Sequence, residues 1–274
     1  MASAAPRDEM LAVRDVSVHL LGGGSGEPLL YLHGAGVTNV WLPFHQHLAE
    51  RCQLYAPDLL GFGRTDRPDW LDNVQDFVVH YLDLLDALGL EQVHVAGLSL
   101  GGWVAAELAV WASHRLKSLT LIDAAGLYVP GVEVPDLFVL DYPQTIRLLF
   151  DDQALAERIL SVPETPELNA QRLKGNVTLA RVGWNPYLYD PKLVQRLHRV
   201  RVPTQVLWGE RDRLFPLAIG EAWRDAIAGA TLRVIPRCGH VPPAEQPAAC
   251  ASLIADFVDA HGSQPSAVSP KAES

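Results

Sequence analysis

Gly97-Leu98-Ser99-Leu100-Gly101 follows a short apolar run, Val93 to Ala96, and opens an alanine-rich run from Leu100 to Ser113. A sharp strand-to-helix turn would hold Ser99 in a strained, exposed position. Glycines two before and two after are needed where a Cβ would clash. The helix that follows would aim its N-terminal dipole and free N–H groups at the point where negative charge develops. A serine hydroxyl is a weak nucleophile until a base takes its proton. Of the ten histidines, His240 is the best candidate, because Cys238-Gly239-His240 comes just after the last expected strand. The base needs an acid to fix its tautomer, and Asp212 in Gly209-Glu210-Arg211-Asp212 lies one helix and one strand earlier. Asp123, also after a strand, is a rival, and Glu210 is a weaker one.

Acyl transfer also needs two N–H donors converging on the oxyanion. Leu100 N–H would give one. The second is expected from His33-Gly34-Ala35-Gly36, from Ala35 N–H or else Gly36 N–H. Gly34 and Gly36 would let the backbone approach substrate. Trp41, beside that loop, and Trp103, on the elbow helix, are candidate pocket walls, with Trp184 from a later segment. His33 more plausibly braces its loop than reacts. His45 and His47 form an HxH pair without a third ligand, a poor metal site. The chemistry proposed here needs water and no metal or organic cofactor.

Elements that could position these residues are legible by period. Val16, Val18 and Leu20 alternate as in a half-buried strand. Leu29 to Leu32, Leu54 to Ala56, Val93 to Ala96, Leu119 to Ile122, Thr204 to Trp208 and Leu232 to Ile235 are continuous apolar runs suited to a sheet covered on both faces. Val74 to Leu88 has helical spacing, with Asp72 or Asn73 as cap and Gly89 as exit. A last helix carries Leu253, Ile254, Phe257 and Val258. Strands alternating with helices predict a parallel sheet with helices on both faces, whose βα loops share one edge with Ser99. Residues 127–191 break the rhythm with proline-interrupted helical periodicity and many aromatics, which predicts a helical insertion over the sheet edge. The expected organisation is core 1–126, helical cap 127–191, core 192–262 and a disordered tail 263–274.

These landmarks, with Pro57-Asp58-Leu59-Leu60-Gly61-Phe62-Gly63 and Trp208-Gly209-Glu210-Arg211-Asp212, resemble the α/β-hydrolase superfamily in its capped branch of small serine hydrolases. The chain order Ser99, Asp212, His240 agrees with that resemblance. The resemblance implies a mostly parallel eight-stranded sheet, a cap, and Ser99-His240-Asp212 as a triad. It argues against haloalkane dehalogenases and related epoxide hydrolases, which carry Asp at the elbow. Carbon–carbon bond hydrolases of aromatic breakdown usually carry Asn before the serine, where this chain has Leu98. The expectation is therefore a carboxylesterase acting on small, largely apolar esters. The alternatives are a carbon–carbon hydrolase of vinylogous diketones, a perhydrolase, or a slow hydrolase-like sensor. An aromatic cap would favour neutral esters, whereas anionic dienoates would require a buried arginine such as Arg181.

Composition narrows the partners. With 22 Lys and Arg against 32 Asp and Glu, the net charge of −10 disfavours nucleic acid. The basic stretch Arg196 to Arg201 reads as the polar end of a helix. Cys52, Cys238 and Cys250 form no CxxC pair and are expected to be reduced and mostly buried. Met1 to Met10 does not read as a secretory signal, and Ala96 to Ala112 is too short and glycine-rich to span a bilayer. A cytoplasmic protein is expected; the oligomeric state is left open.

Overall fold

The computed structural model describes residues 6–36 and 40–262, so the tail expected to be disordered lies outside the described residues. Eight strands form one sheet: β1 Arg7–Val13, β2 Val16–Gly23, β3 Glu27–Leu32, β4 Cys52–Pro57, β5 Val93–Leu98, β6 Leu116–Ile122, β7 Thr204–Gly209 and β8 Thr231–Ile235. Their order is β1-β2-β4-β3-β5-β6-β7-β8. The β1–β2 and β2–β4 pairs are antiparallel, and every later pair is parallel. The sheet is thus mostly parallel and eight-stranded, as expected.

The helices are α1 Pro43–Ala49, α2 Val74–Ala87, α3 Leu100–Ala112, α4 Tyr142–Leu149, α5 Gln153–Leu160, α6 Pro166–Gly183, α7 Leu193–Arg196, α8 Leu217–Ala226, α9 Pro242–Glu245 and α10 Pro247–His261. Asn73 caps α2 by accepting from Asp76 N–H at 3.1 Å, and Gly89 leaves it with a φ of 68°. Two apolar clusters, one on each face of the sheet, make the core. One holds Val104, Leu108, Trp208 and Trp223; the other holds Phe44, Leu48, Ile254 and Val258.

α3 is buried nearly all round, which explains its run of small and apolar residues. Its one acid, Glu107, is fully buried, and burial raises its carboxyl above the usual range. Arg196 meets it at 2.6 Å and Asp190 at 2.6 Å. The expected polar end of a helix is thus, at Arg196, part of an inward-facing charge cluster. All three cysteines are buried and unbridged. Among the described residues no helix is long and apolar enough to cross a membrane.

α4, α5 and α6 lie between β6 and β7. They are fastened to the core by polar contacts: Thr178 Oγ1 donates to Gly61 O, Lys174 to Thr65 O, and Arg181 to Asp72. The aromatics of this segment pack on one another, Tyr128 on Tyr189 and Phe138 on Trp184 and Tyr187.

Candidate active site

Ser99 follows β5 and is the N-cap residue of α3, with φ 54° and ψ −117°, a conformation that L-residues rarely adopt. Neighbouring main chain holds it there: Ser99 N–H donates to Ile122 O, and Ser99 O accepts from Trp103 and Ala125 N–H. The flanking glycines are required by contact. A Cβ on Gly97 would lie 2.2 Å from Gly101 O, and one on Gly101 2.3 Å from Leu32 O. Gly97→Ala is therefore expected to lower stability by at least about 2 kcal/mol in denaturant unfolding. An unchanged midpoint would mean the turn opens at little cost.

Gly34 packs against the nucleophile, since a Cβ there would come within 3.1 Å of Ser99 Cβ. His33 braces this loop, as expected. Leu59 N–H donates to His33 Nε2 at 2.9 Å, so the ring proton sits on Nδ1 and is donated to Gly34 O at 2.8 Å. Burial holds His33 below the usual histidine range and keeps it neutral. Ala35 is half-buried in the turn that follows, and Gly36 has a φ of 79°. Leu100 is the first residue of α3, so its N–H has no helical carbonyl to meet. Gly34's contact thus brings the loop after β3 against Ser99.

His240 and Asp212 meet across the loops after β8 and β7. His240 Nδ1 donates to Asp212 Oδ2 at 2.7 Å, with both side chains buried. Asp212 Oδ1 accepts from Leu214 and Phe215 N–H at 2.8 and 2.9 Å. These donors fix the carboxylate plane, and the carboxylate fixes the imidazole with Nε2 as the free, basic nitrogen. Glu210 turns away and accepts from Arg237 N–H instead. His240 N–H donates to Leu149 O at 2.7 Å. Glu245 gathers three main-chain donors, Gly239, Asp151 and Asp152 N–H, each at 2.8 Å.

The remaining candidates fall elsewhere. Trp103 is buried against Gly126 in the core. Trp184 is 61% exposed and packs at a tilt against Phe138, so it holds the insertion together rather than facing inward as expected. Trp41 donates to Gln46 and borders a separate hollow with His19, Asp58 and Arg64. Nor is Arg181 buried: it lies on the surface, paired with Asp72. In the HxH pair, His45 caps α1 by accepting from Leu42 N–H, and His47 faces solvent near Glu50.

A cavity of about 330 Å³ reaches Gly36 in the loop after β3 and runs between Phe62 of the core and α4, α5 and α6. Its wall includes Arg147 and Arg172, a polarity that the aromatic content of the insertion did not suggest. Arg172 lies 3.7 Å over the Tyr142 ring and bonds Glu164; Arg147 bonds Glu157. Asp123, Asp212 and His240 offer atoms within 4.8 Å of one another, a spacing that could hold a cation. His240 Nδ1 and Asp212 Oδ2 are, however, already committed to each other.

Known proteins agree with this architecture. The chain is 31% identical over 260 residues to 2-hydroxymuconate semialdehyde hydrolase of Pseudomonas sp. (strain CF600), covering 89% of this chain and 90% of the relative. It is 30% identical to 2-hydroxy-6-oxo-2,4-heptadienoate hydrolase of Pseudomonas putida (strain F1), covering 92% and 96%. Among solved structures, a bacterial membrane phospholipase A superposes with a TM-score of 0.74 at 27% identity, covering 93% of this chain and 86% of that one. The 2-hydroxy-6-oxo-6-phenylhexa-2,4-dienoate hydrolase of Rhodococcus sp. strain RHA1 shares the fold, with a TM-score of 0.78 at 24% identity, over 94% and 100% of the two chains. Residues 29–253 match the alpha/beta hydrolase family, and with the elbow, the fold and these relatives they establish that the chain belongs to it.

Proposed function

We propose that this hydrolase cleaves the carbon–carbon bond of an anionic vinylogous diketone, with Ser99, His240 and Asp212 as its triad. Ser99 Oγ adds to the ketone carbon as His240 takes its proton, and the carbonyl oxygen becomes an oxyanion received by Ala35 and Leu100 N–H. Collapse breaks the adjacent carbon–carbon bond. The electron pair passes into the conjugated keto acid as a dienolate, and His240 returns the proton to it. Water then hydrolyses the acyl-enzyme with His240 as base. An ester would use the same steps with an alkoxide as leaving group, so the triad alone does not choose between them.

The observation that carries the choice is the pair Arg147 and Arg172 in the wall of the cavity that reaches the oxyanion loop. Guanidinium groups suit a carboxylate, and Arg172 is held in place by Tyr142. The relatives at 31 and 30% identity, named as hydrolases of 2-hydroxymuconate semialdehyde and of 2-hydroxy-6-oxo-2,4-heptadienoate, support the same reading. Esterase action is the second reading. Leu98, an apolar residue before the nucleophile, and the surface pairing of Arg181 favour it.

The test compares an anionic vinylogous diketone with a neutral aryl ester. The diketone is expected to show the higher kcat/KM. Arg172→Ala should lower that value by at least about tenfold, the worth of one hydrogen bond to a charged group, while Arg181→Ala leaves it nearly unchanged. Preference for the ester, indifferent to Arg172→Ala, would establish the second reading instead.

A further inference from the structure

Asp123, weighed above as a rival to Asp212, follows β6 and is fully buried beside the dyad, with a φ of 41°. Its N–H donates to Leu207 O. Its Oδ1 accepts from Gly209 N–H at 2.8 Å. Its Oδ2 is buried and receives no donor from any described residue. What lies beside it is Asp212, whose own oxygens already accept from Leu214 N–H, Phe215 N–H and His240 Nδ1. Two carboxylates offer lone pairs to lone pairs, and only a proton between them makes such a contact favourable.

We propose that Asp123 is a positioning residue of the triad: a neutral carboxylic acid that donates its proton to Asp212 and thereby steadies that carboxylate against His240. The proposal rests on the triad reading given above. The surroundings favour it. Burial first, and then the charge of Asp212, hold the Asp123 carboxyl well above the usual carboxylate range. Glu245, from α9, adds a further negative influence. The thiols of Cys238 and Cys250 on the same side are pushed up by burial and stay neutral. His240 then faces one negative charge rather than two.

Asp123→Asn and Asp123→Ala separate the possibilities. Gly209 N–H holds the amide oxygen of Asn, so its NH₂ replaces the missing proton toward Asp212. Ala removes the donor. The readout is the rate at which a fluorophosphonate labels Ser99 as a function of pH, which needs no natural substrate. Asn should label within about threefold of wild type, with the acidic limb unmoved. Ala should label at least about tenfold more slowly, with that limb moved to higher pH, because an undamped Asp212 makes His240 more basic. If Asp123 is instead ionised, both variants remove a negative charge and both move the limb to lower pH, which overturns the proposal. Failure of wild type to label at all would overturn the serine-hydrolase reading itself.

Melting temperature gives a measurement independent of activity. A proton held on Asp123 in the fold, but lost from it when unfolded above about pH 4, makes wild-type stability fall as pH rises. Asn carries no such proton. Its melting temperature should therefore exceed that of wild type by a margin that widens toward neutral pH. A margin independent of pH would overturn the proposal even if the alanine variant did not fold.

Discussion

Ser99→Ala is expected to lower kcat by at least about 10³-fold while leaving the protein folded. The two halves of that expectation have separate causes. The rate should fall because the only atom removed is the oxygen that attacks the carbonyl in the proposed mechanism. The fold survives because the contacts that hold the turn are main-chain ones, to Ile122 O, Trp103 N–H and Ala125 N–H, and alanine keeps all three. Alanine also bears the strained φ of 54° no worse than serine does. A fluorophosphonate should label wild type on Ser99 alone and the variant not at all. Labelling at another residue, or an active alanine variant with an unchanged melting curve, would remove Ser99 from the mechanism.

Asp212→Asn should cost up to about 10⁴-fold in kcat, and here the direction of each hydrogen bond makes the argument. Leu214 and Phe215 N–H both point at Oδ1, so they select the amide oxygen for that place. The amide NH₂ must then face His240 Nδ1. A donor there forces Nδ1 to accept and moves the ring proton to Nε2, the nitrogen that has to be free to deprotonate Ser99. The base is present but in the wrong tautomer. Asp123→Asn, by contrast, should stay within a few-fold of wild type. The reverse ranking in steady-state kinetics would move the triad acid to the end of β6.

Much of this site was legible in the sequence because its constraints are local. The spacing of Gly97, Ser99 and Gly101 reflects close backbone approach: a Cβ at Gly97 or Gly101 would lie only 2.2 or 2.3 Å from a carbonyl oxygen. The apolar runs that became β3 to β8 are buried, or in the case of the edge strand β8 partly so, and carry the period that burial imposes. β1 escaped notice because Arg7, Asp8 and Glu9 lie at an exposed sheet edge, where charged residues discourage further pairing and erase the alternation. The role of His19 was also hidden. It sits buried on β2, and its Nδ1 meets Asp58 Oδ2 at 2.7 Å, a partner far along the chain. Trp184 and Arg181 misled for one reason. Residue type told that the insertion carries aromatics and cations, but only packing decides which of them border the cavity; Arg172, half-buried, and Arg147, exposed at its rim, do so.

The meeting of Leu149 O with His240 N–H, and of Glu245 with the main chain of Gly239, Asp151 and Asp152, constrains how this enzyme can be rebuilt. Residues 149–152 are part of the insertion by position but part of the histidine loop by attachment. A chimera that replaces 127–191 wholesale would discard the acceptor for the His240 amide and two of the three main-chain donors to Glu245, leaving it Gly239 N–H. A graft that begins at Gln153 and ends at Gly183 would exchange most of the cavity wall and leave those attachments whole. Substrate range and base placement can therefore be recombined separately, provided the crossover lies after Asp152.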